Sequence, residues 1–139
     1  MSTQKTMEDV KVNVKLKLAA LWTALMFLVI YVDYFALYMP GKVEYIIKGK
    51  VFVFDITQGF ILGALTAVTI PGLMIFFSVA LRAAMNRLLN IIIAVLYIPF
   101  ILFNLSGEAW MHMYFAAAIE VILLCLIIRY AWKWPRING

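Results

Sequence analysis

The sequence predicts an all-α integral membrane protein, an up-down bundle of four transmembrane helices. Three observations carry that prediction. Hydrophobic residues make up 66% of the 139-residue chain and the mean hydropathy is +0.99, whereas soluble domains hold about 45 to 50% apolar residues. Apolar runs recur at 18–39, 57–81, 88–105 and 110–131, each near the roughly 20 residues that a helix needs to cross a ~30 Å hydrocarbon core. Charged residues are only 14% of the chain and gather mostly between those runs. Together these features describe a single membrane domain over residues 1–139.

The first 15 residues form a polar arm, with Lys5, Glu8, Asp9, Lys11 and Lys15. The apolar run that follows exceeds the 7 to 15 residues of a signal-peptide core and lacks a small-x-small cleavage site, so it is expected to remain as span one. Its single charge, Asp33, falls below the end marked by Pro40-Gly41. Residues 41–55 hold Lys42, Glu44, Lys48 and Lys50 among apolar residues, too charged to cross, and are expected to lie on the interface or cover the bundle's mouth.

Span two carries Gly59, Gly63 and Ala67 at every fourth position, a ridge of small residues expected to pack tightly against another helix. Gln58, Thr66 and Thr69 follow on a neighbouring face, and Pro71-Gly72 is expected to kink the helix. Arg82 to Arg87 reads as a short basic connection to span three, which Pro99 interrupts. Ser106-Gly107-Glu108 turns the chain into span four. Such short connections require these neighbours to run antiparallel and adjacent.

Span four, Trp110 to Trp134, places Trp110 and Tyr114 at one end and Tyr130, Trp132 and Trp134 at the other, where amphipathic rings meet lipid headgroups. Glu120 then lies near the midplane, directly after Ala116, Ala117 and Ala118. A carboxylate in hydrocarbon costs a few kcal/mol or more, so it normally faces a bundle interior and marks a site. Asp33 and Glu120 are therefore the leading site candidates. Gln58 and Thr66 join them as polar neighbours, and Trp22, Tyr34, Tyr97 and Tyr114 as aromatics that could line a pocket.

Nine of the twelve Lys and Arg residues flank the ends that four spans place on the same side as the termini, and only Lys42, Lys48 and Lys50 lie opposite. Positive charge stays cytoplasmic, which predicts a multi-pass membrane protein with both termini inside. No basic cluster interleaves with exposed aromatics, so a net charge of +5 reads as topology and not as nucleic-acid binding. The single cysteine, Cys125, permits no intramolecular disulfide. No metal-ligand spacing, phosphate-cradling loop or nucleophile elbow occurs, so no metal and no cofactor is expected.

Several short motifs carry a resemblance. They are Val14-Lys15-Leu16-Lys17-Leu18 before Ala19-Ala20-Leu21-Trp22, Asp33, Thr57-Gln58-Gly59, Ile70-Pro71, Asn86-Arg87 with Asn90-Ile91, Ile119-Glu120-Val121, and Tyr130-Ala131-Trp132-Lys133-Trp134. Over nearly its whole length the chain resembles a family of small bacterial four-span membrane proteins with no assigned activity, a resemblance that implies a fold and no substrate. A looser likeness is to four-helix proteins of the sterol-isomerase and sigma-two-receptor type, whose membrane-cavity acids meet cationic or sterol-like ligands, although the acids here do not match that spacing.

The expected function is binding or transport of a lipophilic small molecule, cationic in the favoured version, in a cavity near Asp33, Gln58 and Glu120. The rival readings are a lipid isomerase that uses Asp33 and Glu120 for proton transfer, and an assembly subunit whose polar residues only join helices; catalysis is the less favoured of the classes. Membrane lipids are expected partners, and small-residue ridges suggest a homodimer.

Overall fold

A computed structural model describes residues 4–137. The expected limits of the domain at residues 1–3 and 138–139 lie outside the described residues. Four long helices, α1 (Val14–Ala36), α3 (Gln58–Ala80), α4 (Ala83–Phe103) and α5 (Met111–Trp132), are each long and apolar enough to cross a membrane. A short helix α2 (Lys42–Ile47) and a two-stranded hairpin, β1 (Lys50–Val51) with β2 (Phe54–Asp55), occupy the connection between α1 and α3.

Local chemistry sets the helix limits, and several differ from the sequence expectation. Span one starts at Val14 instead of Leu18 because the Asn13 side chain accepts a hydrogen bond from the Lys15 N–H at 2.8 Å, capping the helix four residues earlier. The two lysines of that first turn find partners. Lys15 Nζ donates to the Leu81 carbonyl at 2.8 Å, and Lys17 lies 5.2 Å over the Tyr130 ring. The supposed basic connection 82–87 is mostly helix: Arg82 is the N-cap of α4, and Asn86 and Arg87 lie inside it. Neither Pro71 nor Pro99 ends its helix. Thr57 caps α3 by accepting from the Phe60 N–H at 3.0 Å.

Buried positions recur at three- and four-residue steps, which gives each helix one inward stripe. On α1 they are Leu18, Trp22, Leu25 and Val29; on α4, Asn86, Asn90, Ala94, Tyr97 and Ile101; on α5, Ala116, Ala117, Glu120, Leu124, Ile127 and Ala131. The start of α1 meets the end of α3 through Lys15 and Leu81, and Arg87 Nε near the start of α4 donates to the Ala131 carbonyl at the end of α5. Adjacent helices thus alternate in direction. The broad contacts are α1 with α5, α4 with α5 and α1 with α3, whereas α3 and α4 touch far less than their short connection led one to expect.

The loosest element is α3. All its buried residues, Pro71, Met74 and Ser78, lie in its second half. The Gly59-Gly63-Ala67 ridge corrects a sequence expectation, since a Cβ added at Gly63 would meet nothing within 4 Å and one at Gly59 would meet only Thr57. The ridge faces outward from this chain instead of into a tight helix contact.

The connection 41–55 is more ordered than a surface loop. Phe52, at the hairpin tip, adopts φ 56°, strained for a side chain with Cβ. Its ring packs edge-on to Phe103 at 6.4 Å, while Phe54 stacks on Phe60 of α3 at 5.6 Å. Lys50 and Asp55 pair across the strands, and the hydrogen bond to the Asp55 carboxylate holds the ammonium above its ordinary pKa; both groups are exposed, so the pair adds little stability. The tip lies against the α4–α5 turn, where a Cβ on Gly107 would fall 2.5 Å from the Phe52 ring.

Gly107→Ala is therefore expected to lower the melting temperature in detergent clearly. It combines a positive φ, worth about 1 kcal/mol or more, with a clash against a ring. Gly49→Ala, strained in φ but in open space, should cost less, and Gly63→Leu should leave the stability of the single chain unchanged. Equal losses in Gly107→Ala and Gly63→Leu would mean that the hairpin does not rest on this turn.

Candidate functional site

Two kinds of buried polar group divide the bundle by depth. Toward the end that holds the chain termini, Trp22, Ser78, Asn86 and Asn90 are fully buried and bonded to one another. Trp22 Nε1 donates to Asn90 Oδ1 at 2.7 Å, and the Ser78 hydroxyl donates to the same oxygen at 3.4 Å. Asn90 Nδ2 donates to the Asn86 side-chain and main-chain oxygens at 2.6 and 2.8 Å, and Asn86 Nδ2 donates to the Ser78 carbonyl at 2.6 Å. This network ties α1, α3 and α4 together with its demands met.

Toward the hairpin end the demands are unmet. Glu120 is 3% exposed and its Oε1 has no hydrogen-bond partner; the Tyr97 hydroxyl, on a residue 6% exposed, has none either. Buried side-chain polar atoms without partners are uncommon, because each forfeits its full desolvation cost. His112 Nε2, at the start of α5, is a third such atom. At ~1.5 Å per residue, Asp33 lies ~4.5 Å, Tyr97 ~9 Å and Glu120 ~13.5 Å inside their helices' hairpin ends. The three form a descending series in depth, of which Tyr97 and Glu120 are buried and Asp33 is exposed.

Of the residues expected to form a site, Tyr97 and Glu120 are buried in the hairpin half, whereas Asp33 is exposed on α1. Trp22 is committed to Asn90 in the other half. Tyr34, 49% exposed, shares a 3.0 Å hydrogen bond with Tyr38 on the outer face of α1, and Tyr114 is 52% exposed on α5. Gln58 and Thr66 also lie on the exposed part of α3, where the Thr66 hydroxyl donates to the Leu62 carbonyl of its own helix. Clefts of about 410 and 430 Å³ open at the termini end, and neither is lined by Glu120, Tyr97 or Asp33.

Sequence reasoning missed the asparagine network. A signal was present, since Asn86 and Asn90 are four residues apart within an apolar helix and so share one face. Its partners Trp22 and Ser78 are 68 and 12 residues from Asn90, and no local pattern links them.

The two halves should respond oppositely to apolar replacement. Asn90→Leu strands the Trp22 N–H and is expected to destabilise by about 1–3 kcal/mol. Glu120→Met, which removes an unpartnered group of similar volume, should leave the empty protein equally stable or more stable. Thermal unfolding in one detergent checks both, and a large loss in Glu120→Met would show that the carboxyl has structural partners.

No curated protein and no solved structure matches the chain. A family model does, over residues 5–138, and on that match the chain belongs to the family of unknown function DUF6326.

Proposed function

We propose that the chain is a multi-pass protein of the bacterial inner membrane that binds a lipophilic cation in the hairpin-side half of its bundle, with Glu120 as the counter-charge. The observation that carries this reading is the buried Glu120 carboxyl whose Oε1 has no partner, beside small residues Ala116 and Ala117 on the same face. A protein that leaves a carboxyl unpartnered in its core gives up stability for a group that a ligand can complete. Tyr97 supplies a second unpartnered atom from α4, a helix that packs along α5.

Binding is favoured over conduction through the bundle. On the termini side of Glu120 the core is closed by Leu18, Trp22, Leu25, Leu124 and Ile127, all at 0% exposure, which supports a site reached from the hairpin side. An isomerase would need Asp33 and Glu120 to act on one substrate from positions roughly 9 Å apart in depth. A purely structural role would pair Glu120 with Gln58 or Thr66, yet Thr66 bonds its own helix. The open Gly59-Gly63 ridge on α3 fits a homodimer in which that ridge packs against a second copy.

The test uses tetraphenylphosphonium and its neutral isostere tetraphenylsilane as probes with the detergent-purified protein. The cation should bind at least roughly tenfold more tightly, and Glu120→Gln should abolish that preference while leaving the fold intact. Equal binding of the two probes to the unaltered protein would overturn the reading.

Both termini are expected to be cytoplasmic. Cysteines introduced at Gln4 and Lys48, in a Cys125→Ser background and probed with an impermeant thiol reagent on intact cells, should react only at Lys48. Labelling at Gln4 alone would invert the orientation.

A further inference from the structure

At the termini end, basic residues fall into two groups. Lys15 and Arg87 are committed to backbone carbonyls, Leu81 and Ala131, where they complete the C-terminal ends of α3 and α5. Lys11, Lys17, Arg129 and Lys133 instead surround a cleft of about 430 Å³ between the extended arm before α1 and the last turns of α5. No acidic residue lines that cleft. Among the described residues, the ion pair within 4 Å is Lys50 with Asp55, at the opposite end of the molecule. Four cations thus converge on one space without a carboxylate to balance them, and the N-terminus of the 23-residue α1, the positive end of its dipole, opens beside them.

The cleft is not purely polar. Val12, Val14 and Leu126 form an apolar side, and from Leu126 the surface of α5 continues up to Ile122, which is 58% exposed. Tyr130 lies under Lys17, and Trp132, 5.3 Å from the Arg87 guanidinium, stands at the same depth. Amphipathic rings of this kind mark headgroup level.

We propose that this cleft binds the headgroup of a glycerophospholipid of net negative charge. Lys17, Arg129 and Lys133 hold the phosphodiester through charge-assisted hydrogen bonds, Lys11 on the arm closes over it, and an acyl chain runs along Leu126 and Ile122. A free anion would meet the same cations but would leave the apolar side and its continuation along α5 unused. The site is independent of the ligand reading at Glu120, which lies in the other half of the bundle, and it requires no particular orientation in the membrane.

Native mass spectrometry of the detergent-purified full chain tests it, with phosphatidylglycerol and phosphatidylcholine of identical acyl chains offered at equal concentration. Phosphatidylglycerol adducts should exceed phosphatidylcholine adducts by roughly tenfold, as several cations near a headgroup imply. Arg129→Gln/Lys133→Gln should remove the preference, as should Lys11→Gln/Lys17→Gln from the facing wall if the first pair fails to fold. Lys42→Gln/Lys48→Gln, equal in charge change at the hairpin end, should retain it. Equal adducts of the two lipids, or equal loss in all the variant pairs, would overturn the proposal. Full displacement of phosphatidylglycerol by millimolar inorganic phosphate would reassign the cleft to a free anion and overturn it as a lipid site.

Discussion

A packed apolar interior leaves a buried polar atom costly without a hydrogen bond, so each such atom inside this bundle must find its partner within the protein or go without. That constraint divides the molecule. In the termini half, Trp22, Ser78, Asn86 and Asn90 satisfy one another across three helices, and Lys15 and Arg87 complete two helix ends. In the hairpin half, Glu120 Oε1 and the Tyr97 hydroxyl remain without partners. The same sequence solves the problem fully in one half and leaves it open in the other. Poor folding of the whole bundle does not explain the difference, because Asn86 and Asn90 of the first set and Tyr97 of the second lie on one inward stripe of α4.

The closed half gives the open half its character. Interhelical hydrogen bonds in membranes contribute about 0.6 to 2 kcal/mol each, so a network of several, with fully buried Leu18, Leu25, Leu124 and Ile127 around it, makes a rigid floor. In the proposed reading, the Glu120 carboxyl above such a floor attracts a cation from one side without offering a continuous polar route to the other. Transport would require this floor to open, at the cost of stranding Asn86 and Asn90. Binding requires only that the hairpin half loosen.

The architecture was legible in the sequence because four apolar runs, each near the length that a hydrocarbon core demands, located all four long helices to within a few residues. The departures have local causes. Asn13 caps α1 earlier than hydropathy suggests, and α4 begins directly after Arg82, so that Asn86 and Arg87 are helical instead of connecting. Site candidates were less legible, because composition marks a residue as unusual in hydrocarbon without saying which way it faces. Glu120 and Tyr97 point inward, while Gln58, Thr66, Tyr34 and Tyr114 share their chemistry and point outward. The Gly59-Gly63-Ala67 spacing misled for the same reason: small residues permit close approach without requiring it.

What can loosen is set by how α3 is held. Its last turns are fixed by Ser78, by Met74 and by the Lys15 bond to Leu81, and its buried residues begin only at Pro71. Proline has no N–H to donate to residue 67, so the helix is least costly to bend at the boundary between its fixed and free halves. The free half is not unrestrained, however. Phe60 in its first turn stacks on Phe54, and the hairpin that carries Phe54 rests through Phe52 on Phe103 and against Gly107. Outward movement of the first half of α3 therefore draws on the hairpin contact, and the strained φ of Phe52 makes that contact less costly to release than an unstrained one. The hairpin and the first half of α3 are thus one mechanical unit, hinged where the satisfied half of the molecule begins.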